Sequence, residues 1–156
     1  VVPPQRASTV GCASFVLLHA VVGPDFDVPI PSCLRYHIKD PYAVHLDAFV
    51  DMTEPITWSF ARDLLIRGVD EHASQGDVSI WPGSDDGDPG SVFIFLNTEN
   101  AAALLRAEHA EVRAFLDWTA CVALPGTEAE HYDLEKFVRN LPPQPPSAPG
   151  TAADDL

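Results

Sequence analysis

The chain has 156 residues, enough for one domain with a real hydrophobic core. Hydrophobic residues make up 46% and charged residues 21%, ordinary globular usage, but 9 Lys plus Arg face 23 Asp plus Glu, a formal net charge of -14. That acid excess disfavours nucleic acid, whose binding depends on neutralising phosphate, and anionic membrane surfaces, while it favours solubility and basic partners.

Residues 1–10, with Pro3-Pro4 and little periodicity, are expected to form a loose leader. Cys12 to Val22 is apolar on both alternating faces, which predicts a central strand covered on both sides, or one buried in a subunit contact. Interrupted by Ser14 and His19, this run is too short to span a bilayer, which takes about 20 residues. It lacks the small-residue cleavage pattern of a secretion signal. Pro29 and Pro31 argue against a regular central strand between Val28 and Ser32. Short strands are expected over Cys33 to Ile38 and Ala43 to Asp51, the second with clean alternation. Ile56 to Phe60 continues the pattern. Ser59 is then placed to cap a helix running to about Arg67, with Gly68 as its stop.

Asp77 to Trp81 and Ser91 to Thr98 read as a hairpin around the turn residues Gly83 to Gly90. Thr98 then predicts a helix continuing to about Ala123, broken near Ala107 and ended by Pro125-Gly126. A last short helix is expected after Asp133. From Pro142 to Leu156, five prolines among small and acidic residues make a tail that cannot bury a core. The chain thus divides into a leader (1–10), one domain (11–141) and a proline-rich tail (142–156). No internal repeat is visible.

Candidate chemistry is sparse. Cys12, Cys33 and Cys121 contain no C-x-x-C, so a zinc site is not expected, and an odd number of cysteines fits free thiols in a reducing cytoplasm. The six histidines carry no metal-ligand spacing. Asp85-Asp86-Gly87-Asp88 lacks the order and terminal Glu of a calcium loop. No nucleophile elbow and no phosphate-cradling glycine loop is present. These observations give no support to an enzyme or to a bound cofactor. The tryptophans and tyrosines fit either core positions or a binding face.

The motifs Leu34-Arg35-Tyr36, Asp40-Pro41-Tyr42-Ala43-Val44-His45, Trp58-Ser59-Phe60-Ala61-Arg62-Asp63-Leu64-Leu65, Gly76-Asp77-Val78 and Trp81-Pro82 keep a characteristic order and spacing. With Leu116 and Pro125-Gly126-Thr127-Glu128 they make the chain resemble the SsgA-like sporulation and cell division proteins of filamentous actinobacteria, and among them the SsgB-like members. The resemblance spans about Val10 to Leu141. It implies an α+β fold related to Whirly-type domains, with two antiparallel β-sheets packed across each other, helices, and assembly as a trimer. It also implies a non-enzymatic role in septum formation by protein-protein contacts, at septa in the cytoplasm, with the tubulin-like FtsZ or other division and SsgA-like proteins as partners and recruitment or localisation of FtsZ as the task. The related fold raises a single-stranded nucleic-acid module as the alternative, which the acid excess disfavours. His37 stands where an acidic residue is usual in the family pattern, and the tail after Leu141 has no counterpart in its short members. For the partner-binding surface the expected residues are Arg35, Tyr36, Tyr42, Arg62 and Asp63.

Overall fold

The computed structural model describes residues 6–7, 10–51, 53–84, 87–132 and 138–143. In chain order the elements are β1 (Arg6–Ala7), β2 (Gly11–Gly23), β3 (Phe26–His37), β4 (Ala43–Ala48), β5 (Ile56–Ala61), α1 (Arg62–Gly68), β6 (Ala73–Gln75), β7 (Val78–Ser84), β8 (Gly87–Thr98), β9 (Ala101–Glu108), α2 (His109–Val122) and α3 (Glu128–His131). Four antiparallel strands and a helix are therefore followed by four more antiparallel strands and a second helix. This repetition of topology has no counterpart as a sequence repeat.

The strands were expected in two separate sheets. They instead run as one hydrogen-bonded path in the order β5-β4-β3-β2-β9-β8-β7-β6, with β1 beside β2. The two wings meet through a short junction, where β2 and β9 pair only His19 with Arg106 and Ala20 with Leu105. Charge reinforces that corner. Arg106 binds Asp27 at 2.6 Å and Asp88 at 3.3 Å, and His19 Nδ1 lies 3.3 Å from Asp27. One hydrophobic core draws on both wings and on α1 and α2, through Val16, Leu34, Leu46 and Leu64 on one side and Ile80, Ile94, Leu105 and Phe115 on the other.

Four local expectations are corrected. First, β3 runs unbroken through Pro29 and Pro31. It pairs with β2 along its length but with β4 only from Ser32 to Arg35, so residues 26–31 form an open edge on the β4 side. The Pro31 carbonyl accepts the Phe49 N–H at 2.9 Å on that side. The missing proline donors are thus directed away from β2, where no ladder bond is lost. Second, the helix expected from Thr98 to Ala123 is a strand over Ala101–Glu108 and a helix only from His109. Ala, Leu and Arg favour helix locally, but pairing with β8 from Ser91 to Thr98 overrides that preference. Third, Ser59 does not cap α1; its hydroxyl lies 2.6 Å from His45 Nδ1 across the β4–β5 ladder, and α1 begins after Ala61 without a side-chain cap. Gly68 ends α1 as expected, and it also lets the helix press onto β7, since a methyl group there would collide with Ile80. Fourth, the strand expected from Ala43 to Asp51 ends at Ala48.

The strand over Cys12–Val22 is confirmed as β2, but only one of its faces is covered. Cys12, Ser14, Val16 and Leu18 are buried, whereas Phe15 and Leu17 face outward. The strands expected at 56–60, 77–81 and 91–98 are present as β5, β7 and β8, and the last begins four residues early, at Gly87. The helix expected after Asp133 falls mostly outside the described residues, as do Asp85 and Asp86.

Candidate functional site

Register and exposure together define a face on the first wing. In an antiparallel ladder, directly opposed residues point to the same side. Phe15 opposes Cys33, which opposes Asp47, which opposes Thr57. Ala13 opposes Arg35, which opposes His45, which opposes Ser59. Leu17 opposes Pro31, whose carbonyl receives the Phe49 N–H. The outer face is therefore apolar along Phe15, Leu17, Pro31 and Phe49, with a polar border of Arg35, Asp47, Thr57 and His45. Phe15 is 59% exposed and Leu17 48%. At the end of the same β2–β3 ribbon, Val22, Phe26 and Val28 are also exposed.

The polar border is ordered. Arg35 Nη2 donates to Asp47 Oδ1 at 3.0 Å while its Nε donates to Oδ2, and the Thr57 hydroxyl donates to Asp47 Oδ1 at 2.6 Å. The hydrogen bond from Arg35, helped by Thr57, holds the Asp47 carboxyl below its ordinary range against the opposing effect of burial. This side of the wing presents a fixed carboxylate–guanidinium pair beside an apolar strip.

The opposite side of β3 holds a second cluster. Arg62, the first residue of α1, is 1% exposed. Its Nη1 donates to the carbonyls of Thr119 at 3.1 Å and Ala123 at 2.6 Å, and its Nη2 to Glu128 Oε1 at 2.7 Å. The guanidinium lies 4.7 Å from the centroid of the Tyr36 ring. The last turn of α2 has no basic residue of its own, so Arg62 supplies from α1 the positive charge and donors that a helix C-terminus needs. Burial pushes the Glu128 carboxyl up, but hydrogen bonds from Arg62 and nearby backbone outweigh it and leave the group below its ordinary value of 4.5. Nearby, burial raises the Cys12 thiol to about 11 despite Arg62, so it stays protonated and unreactive at neutral pH.

The five residues expected at a partner surface thus separate. Tyr36 is buried, with its hydroxyl donating to the Pro41 carbonyl at 2.9 Å, and Arg62 is buried beside it, so neither touches a partner unless the core opens. Tyr42 is half exposed and meets the Tyr132 ring edge-on at 5.8 Å; its carbonyl accepts the Arg62 backbone N–H. Asp63 is exposed and pairs with Arg67. Arg35 is on the outer face, with the sheet between it and Arg62. Reading the sequence motifs missed Phe15, Leu17 and Phe49; the two-faced apolarity of β2 is the signal for Phe15 and Leu17, whereas Phe49 is placed only by its hydrogen bond to Pro31. It also gave Glu128 no physical role. Among the described residues no group of three or more His, Cys, Asp or Glu is arranged to hold a metal.

The sequence profile of a family described as "Streptomyces sporulation and cell division protein, SsgA" matches residues 30–128. The chain belongs to the SsgA family. That span takes in every member of the Arg62 cluster, from Tyr36 to Glu128. SsgA-family relatives named "Sporulation-specific cell division protein SsgB" include one from Streptomyces coelicolor, 39% identical over 134 residues and covering 86% of this chain and 96% of the relative. Another, from Kineococcus radiotolerans, is 36% identical over 140 residues, 88% of this chain and 82% of the relative. A solved SsgB structure, from work linking SsgB mutations to longitudinal cell division in S. coelicolor, superimposes with a TM-score of 0.71 at 37% identity, covering 81% of this chain and 96% of that one. An SsgA-like sporulation-specific cell division protein from Thermobifida fusca gives 0.74 at 30% identity, with 86% and 98% coverage. The curved antiparallel sheet with few helices is therefore the SsgA-family fold, and the chain is an actinobacterial-type sporulation cell division protein.

Proposed function

We propose that this SsgA-family protein is a non-enzymatic scaffold of sporulation septum formation that assembles as a homotrimer and recruits or helps to localise FtsZ at septa. The observation that carries the reading is the exposed apolar face of the first wing, Phe15, Leu17 and Phe49 beside the Arg35–Asp47 pair. Contiguous exposed apolar surface with a polar rim is what protein-protein contacts use. This face suits the subunit contact anticipated for β2, and the two strand wings with flanking helices support the Whirly-type likeness. Tyr42 and Asp63, on the α1 side, and Arg35 remain our choice for the partner surface. Among the described residues Arg35, Arg62, Arg67, Arg106 and Arg113 each pair with a carboxylate, which counts, with the acid excess, against a phosphate backbone as partner. No helix among the described residues is long and apolar enough to cross a membrane.

The test is binding of the purified protein to FtsZ with GTP, by light scattering and co-sedimentation, with mass measured in parallel. The expected result is a particle of three times the 16.9 kDa chain that sediments with FtsZ polymers. A monomer at micromolar concentration, or a trimer that stays in the supernatant, sinks the corresponding half of the proposal.

A further inference from the structure

The strand path begins at β5 and ends at β6, so each of these strands pairs on one side only. The sheet curves enough to bring β5 opposite the far end of the second wing. Between them lies a groove of about 320 Å³, with Trp58, Ser59 and Ala61 on one wall and Asp77, Val78 and Leu96 on the other.

The register states what the β5 wall offers. The Arg62 N–H donates to the Tyr42 carbonyl at 2.7 Å, one step beyond the opposed pair Ala61 and Ala43. Backbone groups alternate sides along an antiparallel strand. Those of Phe60, Trp58 and Ile56 therefore also turn to β4, and those of Thr57, Ser59 and Ala61 turn to the open side. Thr57 and Ser59 are exposed. The Trp58 side chain is half-buried on the core side, the side of its opposed residue Leu46.

Soluble proteins usually blunt an open strand edge by proline, by charge or by shortness. The open side of β3 has Pro29 and Pro31, and β6 is three residues long. β5 has none of these devices. It runs for six residues, Ile56 to Ala61, without proline or charge, and Ile, Thr, Trp and Phe are all good strand formers.

We propose that β5 takes an extended, basic segment of a partner protein as an added strand. Main-chain hydrogen bonds to Thr57, Ser59 and Ala61 hold the segment, and its alternate apolar side chains enter the groove between Trp58 and Val78. Charge selects the occupant. Asp77 is exposed and pairs with no cation among the described residues, and the groove lining contains no Lys or Arg. The whole chain carries a formal net charge of -14. A lysine or arginine on the segment complements both. A second copy does not, since its own β5 carries no charge and the chain behind it is equally acidic. The groove is separate from the outer face of Phe15 and Leu17, and the proposal depends neither on the trimer nor on FtsZ.

The experiment selects displayed random dodecapeptides against the immobilised full-length chain and then synthesises an enriched peptide. The expected sequences alternate apolar residues and carry net positive charge. Saturation with the peptide slows amide exchange at Thr57, Ser59 and Ala61 by at least about tenfold, and leaves the Trp58 and Phe60 amides as they were. Methylating alternate backbone nitrogens of the peptide abolishes that protection. Ser59→Pro removes a donor from the open side alone and abolishes binding. Asp77→Asn, at an exposed position, weakens binding by about threefold, the loss of one exposed ion pair. Failure to enrich any peptide overturns the proposal. So do enriched peptides that are neutral or acidic, or that leave the three edge amides exchanging as before. Edge amides already protected in the free chain and released on dilution also overturn it, because a second copy then occupies β5.

Discussion

The two wings repeat one topology and treat water differently. Between residues 10 and 56 the first wing and its leading turn expose Val10, Phe15, Leu17, Val22, Phe26, Val28, Tyr42, Phe49, Val50 and Ile56. Among the described residues from 57 to 123, across α1, the second wing and α2, no large hydrophobic side chain is equally exposed. The outward aromatics of the second wing, Trp81, Phe93 and Phe95, are half-covered by one another and by their strand neighbours. Burying a Phe or Leu side chain fully is worth roughly 1.5–3 kcal/mol. The first wing leaves several such contributions unclaimed within the single chain. Both wings feed the core, but only the first leaves an apolar face exposed. The Arg62 cluster ties α1, at the end of the first wing, to α2, at the end of the second.

That contrast breaks most severely at Arg62. Replacing it with Met strips the C-terminal carbonyls of α2 of their donors and leaves Glu128 without its partner. Loss of one member of a buried pair costs about 3–5 kcal/mol. The thermal midpoint is expected to fall by about 10 °C or more, read by circular dichroism. A midpoint within a few degrees of the unaltered chain would show that the wings hold together without the cluster.

A double change, Phe15→Glu with Leu17→Glu, sharpens the contrast from the other side. Both residues are exposed in the single chain, so its intrinsic stability should move by no more than about 1 kcal/mol. On the proposed trimer, self-association should nevertheless be lost, with the mass in solution falling to 16.9 kDa. The matching change on the second wing, Phe95→Glu, should lower stability rather than alter the mass, because that ring is half-buried. Equal effects from the two wings would remove the distinction between them.

The smallest expected effect is at Glu128. Its folded carboxyl titrates below 4.5, so its pair with Arg62 contributes fully above pH 4.5 and is lost as pH falls through the lowered value. Glu128→Gln should cost about 1–2 kcal/mol at pH 7. Denaturant titrations at pH 7 and pH 3 should show that gap narrowing in acid. A gap independent of pH would mean that the carboxylate's charge is not what Arg62 uses.

Much of the fold was legible because its signals are local. β4 and β5 follow from alternation, the β7–β8 hairpin from Gly-rich turn residues between apolar runs, and α1 from three-four spacing ended by Gly68. The misreadings lie where a partner strand overrules the segment's own preference. Ala101–Glu108 has helix-forming composition and becomes a strand because β8 offers it a ladder of eight residue pairs. Pro29 and Pro31 look like strand breakers and are tolerated because β4 stops short of them. The candidate site divided in the same way. Two apolar faces on β2 marked a strand that must meet something on both sides, but which face remains open depends on where the core lies.

By itself the sequence determined the composition class, the acid excess, the element types with short-range signals, and the motif order that marks the SsgA family. Tertiary structure alone decided that eight strands form one path through a two-pair corner, that Arg62 and Tyr36 turn inward while Arg35 turns outward, and that Glu128 pairs with Arg62, 66 residues earlier in the chain. The reason is physical. Periodicity and turn chemistry act between near neighbours, whereas the side of a strand that meets water and the partner that neutralises a buried charge are set by chain segments brought together only when the two wings close on a common core.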